Sequence, residues 1–170
     1  MQKLGGAACG LAALLLVCAA LPAAAEDRQT GGPTILDEAS PDAVLAALER
    51  GGFEAEIGKD DEGDPKINST DKSQPFGVHF YGCDDDHAHC KYVQLTQGWN
   101  LKKGITLDKI DAWNNDNVWG QAYRDDEKDP WLALTINFEG GVTPEYVDNM
   151  LDWWSIIVDD YEKAIGWDKD

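Results

Sequence analysis

Apolar residues recur along this chain with two different periods, and the switches between them mark out its elements. Val44, Leu45 and Leu48 share one helical face, with Ser40 as the cap, Pro41 in the first turn and Gly51-Gly52 as the stop. Phe53, Ala55 and Ile57 then alternate with Glu54, Glu56 and Gly58, which predicts a half-buried strand. The acidic run Asp60-Asp61-Glu62-Gly63-Asp64-Pro65 breaks that strand, and Lys66 to Thr70 read as its return. As a calcium loop this run fails. Its glycine comes fourth from Asp60 where the sixth is needed, and no glutamate stands at the twelfth position. A solvated turn is the reading.

The next hairpin can be registered from the sequence. Phe76, Val78 and Phe80 lie on one face of a strand, and Val93 and Leu95 on one face of its partner. Pairing Phe80 with Val93 sets Val78 opposite Leu95, Tyr81 opposite Tyr92 and Cys83 opposite Cys90, the last two pairs on the other face. A slip of one residue would turn one apolar set away from the core. Facing residues in a non-hydrogen-bonded pair lie about 4.5 Å apart at Cα, a separation that a disulfide accepts.

Further along, Thr106 caps a helix carrying Leu107, Ile110 and Trp113, which Asn114-Asn115 end. Strands are predicted at 118–124 and 131–138, joined by a charged turn, with Leu132, Leu134, Ile136 and Phe138 inward. Thr143 and Pro144 open a last long helix whose stripe runs through Val147, Met150, Leu151, Trp154, Val158, Tyr161 and Ile165. Trp153, Ile156 and Ile157 widen its apolar girth beyond what one sheet face needs. The fold class is therefore α+β, an antiparallel sheet with helices in the order α-ββ-ββ-α-ββ-α. The surplus girth makes Trp153, Ile156 and Ile157 the candidate partner-binding surface, with Tyr81 and Tyr92 as lesser candidates.

Composition adds a compartment. Lys3, an uncharged run with Leu14-Leu15-Leu16-Val17 at its centre, and Ala23-Ala24-Ala25 before Glu26-Asp27 form an export-signal pattern. Residues 1–25 are the expected signal peptide, residues 26–39 a flexible lead-in, and 40–170 the domain. Removing Lys3 takes the net charge from −18 to −19. Such a chain repels nucleic acid and anionic lipid headgroups, and after cleavage no membrane anchor is expected. The expected location is periplasmic or secreted. Cys9 and Cys18 leave with the signal, so Cys83 and Cys90 remain for one disulfide in an oxidising compartment.

Cys83-Asp84-Asp85-Asp86-His87-Ala88-His89-Cys90 is the one segment dense enough in reactive side chains to suggest a site. Its first reading is a disulfide closing an acidic hairpin tip. The alternative is a divalent metal, zinc, copper or nickel, held by His87 and His89 with Asp84, Asp85 or Asp86 and, if the thiols are reduced, the cysteines. The spacing matches no standard zinc module, and no cofactor is expected beyond that alternative. His79 has no Ser or Cys nucleophile to serve, and no nucleophile elbow or Gly-rich phosphate loop occurs. A hydrolase built on unrecognised acid pairs has no supporting motif.

An ordered set of short segments resembles one family. Gly63-Asp64-Pro65, Phe80-Tyr81-Gly82-Cys83 with Cys90, Trp113-Asn114, Ala122-Tyr123 and Gly140-Gly141-Val142 occur in the order seen in YbjN-like proteins, over about Ser40 to Trp167. The resemblance implies a fold like the type III secretion chaperones, small acidic proteins, commonly dimeric, that hold partner polypeptides. YbjN-like proteins are described as sensory-transduction regulators. The export signal departs from the cytoplasmic chaperones and argues against a type III effector as partner. The expected function is an exported non-catalytic binding module, with a protein partner or a homodimer. The alternative is periplasmic metal binding through the Cys83–Cys90 loop.

Overall fold

The computed structural model describes residues 32–72 and 74–167. The expected signal peptide lies outside them. The elements are α1 (Pro41–Arg50), β1 (Glu54–Lys59), β2 (Pro65–Asp71), β3 (Gln74–Tyr81), β4 (Tyr92–Gly98), α2 (Leu107–Asp116), β5 (Gln121–Arg124), β6 (Pro130–Asn137) and α3 (Pro144–Ile165). This is the α+β order that the hydrophobic pattern predicts.

The strands form one six-stranded antiparallel sheet in the order β1-β2-β3-β4-β6-β5. β6 sits inside because its alternate residues Leu132, Leu134 and Ile136 are buried, whereas the short β5 serves as the edge. A single row, Ile57-Ile67-Val78-Leu95-Leu134, crosses five strands on the core face. The β3–β4 register is the one read from the sequence, with Phe80 opposite Val93 and Tyr81 opposite Tyr92. The apolar stripe of α3 lies on the core face, where Trp154 and Tyr161 are fully enclosed. Trp99 and Trp113 meet the Tyr161 ring edge-on at 5.3 and 4.9 Å.

Some expectations shift. Ser40 has extended backbone geometry at the head of α1, but its side chain makes no capping bond there. Thr106 and Thr143 do cap, accepting from the N–H of Lys109 and Tyr146. Leu107, predicted on the apolar face of its helix, is exposed. Asn114 does not end α2. It lies within the helix, and its side-chain amide exchanges two bonds with the backbone of Ala122, at 2.8 and 3.0 Å, tying the helix to edge strand β5. That strand starts at Gln121, so Val118 and Trp119 belong to the preceding loop.

Within the segment read as a flexible lead-in, residues 36–39 are tied to the fold. Leu36 and Val142 exchange backbone hydrogen bonds of 2.8 and 2.9 Å, and the buried Ala39 donates its N–H to the Cys90 carbonyl at 2.7 Å.

Candidate partner surface and disulfide loop

The disulfide joins Cys83 to Cys90, with their Cα atoms 3.8 Å apart. The expectation that this pair shares the outer face with Tyr81 and Tyr92 needs correction. Gly82 takes a left-handed φ of 67°, which breaks the pleat after Tyr81. Cys90 thereby enters the core and Cys83 packs against it. The two tyrosines stay on the outer face, half-exposed, with ring centroids 5.5 Å apart and planes 19° from parallel.

Inside the loop the Asp84 carboxylate accepts from the N–H groups of Asp86 and Ala88, each at 3.0 Å, and so shapes the turn. The two candidate histidines point to different partners. His87 Nδ1 lies 2.7 Å from Asp64 Oδ1 in the β1–β2 turn. His89 Nδ1 bonds Glu38 in the segment before α1, and that bond, with the Glu38 charge, raises the His89 pKa. A carboxylate only accepts, so each ring holds its hydrogen on Nδ1. The loop is thus cross-tied to two other segments. Among the described residues, no group of three or more His, Cys, Asp or Glu is placed to hold a metal ion.

His79 lies on the outer face beside Tyr81, where burial, then the nearby Lys66 charge, lowers its pKa. Near neutral pH it is an uncharged ring.

The surplus apolar girth of α3 divides in two. Trp153 and Ile156 are exposed at 39% and 49%, but Ile157 is only 5% exposed. Ile157, expected in the partner-binding surface, is instead enclosed within the fold. The reason is close packing: a Cβ at Gly120 would stand 2.8 Å from Ile157 Cδ1, so the loop before β5 lies directly on that side chain.

The same loop brings two residues that the sequence reading missed. Trp119 stacks on Trp153, centroids 6.4 Å apart and planes 27° from parallel, and Val118 beside it is 93% exposed. Val118, Trp119, Trp153 and Ile156 thus form an apolar patch where α3 meets the α2–β5 loop. Asp116 and Asp152 stand next to it in sequence, with no ion-pair partner among the described residues. Two adjacent apolar residues between Asn117 and Gly120, both turn formers, were the available signal for a loop.

Two comparisons bear on identity. No curated protein matches the chain at a significant level. The family model for YbjN, described as "putative bacterial sensory transduction regulator", matches residues 40–167. That span takes in every strand and helix of the sheet-and-helix architecture, together with the disulfide loop and the α3 patch, and the chain belongs to the YbjN family.

Proposed function

We propose that this protein is an exported, non-catalytic regulatory module that holds a protein partner at the α3 patch. The observation that carries the reading is the Trp119–Trp153 stack, flanked by exposed Val118 and Ile156. Exposed aromatic anchors at low conformational cost are the usual centre of a protein–protein contact. Residues that pack only within the fold would be buried, as Ile157 is. Membership of a family described as regulatory supports a binding role. Export is supported by the leader pattern at residues 1–25 and by the Cys83–Cys90 disulfide, which belongs in an oxidising compartment.

The test compares the natural protein with a Trp119→Ala/Trp153→Ala variant as bait in periplasmic extract. A protein retained by the first and lost by the folded variant supports the reading; equal retention by both rejects it. Intact mass of periplasmic material is expected to give a mature N-terminus at Glu26 with the two cysteines oxidised. Two free thiols or a retained leader would remove the export half of the proposal.

A further inference from the structure

A second surface lies on the other side of the sheet, away from the helices. Here the row Glu56-Asn68-Gly77-Thr96-Ala133-Gln121 crosses all six strands. Its middle is floored by small side chains, and a trough of about 700 Å³ opens over β1 to β4. A separate concavity of about 470 Å³ lies towards the β5 edge, between β4, β6 and β5 and the end of α2 with its following loop, where Asn114, Val118 and Trp119 line it. The first volume is in the range of sites for small organic ligands.

Aromatic rings wall the trough. Trp131 lies across Gly98, where a Cβ would stand 2.6 Å from the indole, so glycine is required beneath it. The ring is held at its edge by the Nε1–H bond to Asp125 Oδ2 at 2.9 Å, and Tyr123 extends it at 6.1 Å with planes 18° apart. On the far side His79 lines the trough, with the Tyr81–Tyr92 pair beyond it on the same face.

Charge decides the ligand class. Strands β3, β4 and β6 contain no Asp, Glu, Lys or Arg in a chain whose net charge is −18. Lys66, Glu54 and Glu56 stand only at the β1–β2 end. An anionic ligand would meet two carboxylates and the field of the whole molecule. A cationic one is drawn by that field, but it would find carboxylates only at Glu54 and Glu56 on the rim and none over the central strands to replace its water. What the trough offers is hydroxyl and amide groups (Asn68, Thr70, Thr96) beside a fixed flat indole.

We propose that this outer sheet face binds a neutral oligosaccharide, with the apolar face of a sugar ring on Trp131 and its hydroxyls bonded to Asn68, Thr70 and Thr96. An extended peptide fits less well. The backbone groups of the central strands are already used by their neighbours, and strand addition works at sheet edges. A second copy fits less well too, because two concave faces leave the space between them unfilled.

The test is titration of the purified full-length protein with neutral oligomers of glucose, xylose and N-acetylglucosamine, with uronic-acid oligomers, and with an extended uncharged peptide, followed by NMR. At least one neutral oligomer is expected to give saturable shifts at the Trp131 indole N–H and at β3 and β4 amides. Trp131→Ala is expected to weaken it at least tenfold. Asn68→Ala, at an exposed position, repeats the test without risk to the fold. The proposal fails if no neutral oligomer gives saturable shifts, if uronic-acid oligomers bind as well, or if both variants bind unchanged. It also fails if only the peptide perturbs this face, or if self-association protects it.

Discussion

His89 shows how one side chain ties the chain's entry segment to the body of the fold. Its pKa is raised, first by the hydrogen bond to Glu38 and then by that carboxylate's charge. A raised folded-state value favours the bonded form fully below the ordinary histidine pKa, and the benefit is lost as pH rises through the shifted one. Backbone amides of residues 36–39 are therefore expected to exchange faster at about pH 8.5 than at about pH 6, beyond the intrinsic rate change. Glu38→Gln removes that difference; a pH dependence unchanged in the variant would refute the link. The neighbouring disulfide acts on a larger scale. Cys83→Ala/Cys90→Ala is expected to cost about 2–3 kcal/mol from restored loop entropy, read as a lower urea midpoint.

Among the elements, α3 separates two kinds of apolar residue that sequence alone presents as one. Ile156→Ala at the exposed position is expected to change stability by less than about 0.5 kcal/mol, whereas Ile157→Ala costs about 2–5 kcal/mol. Paired urea melts decide it, and equal effects would contradict the burial assignment. Periodicity was enough to define the stripe from Val147 to Ile165, because a helix needs one enclosed face to hold it. It was also enough for the β3–β4 register, where the core and the cysteines demanded the same pairing. It could not show that Gly120 closes over Ile157, since that contact joins elements 37 positions apart (157 − 120). Nor could alternation foresee Gly82, whose left-handed backbone moves the cysteines off the face that the pleat assigns them. The stack of Trp119 on Trp153 was hidden for the same reason: loops carry no period.

For the molecule as a whole, charge is distributed against compactness. The net charge of −18 is only partly offset by pairs such as Arg50–Asp148 and Lys72–Asp159, both at 2.7 Å and both at the surface. Exposed pairs of this kind each contribute little. Self-repulsion therefore outweighs them, and raising salt to about 0.5 M, where charges are screened within a few ångströms, is expected to raise the melting temperature. A fall in melting temperature on adding sodium chloride would show that the pairs outweigh the repulsion. The antiparallel bridge between Leu36 and Val142 has a practical consequence for anyone cutting the gene at the family boundary. A recombinant fragment beginning at Ser40 loses the strap that caps the start of α3, leaves the Cys90 carbonyl without its donor, and should be trimmed more readily by proteases than one beginning at Gly32.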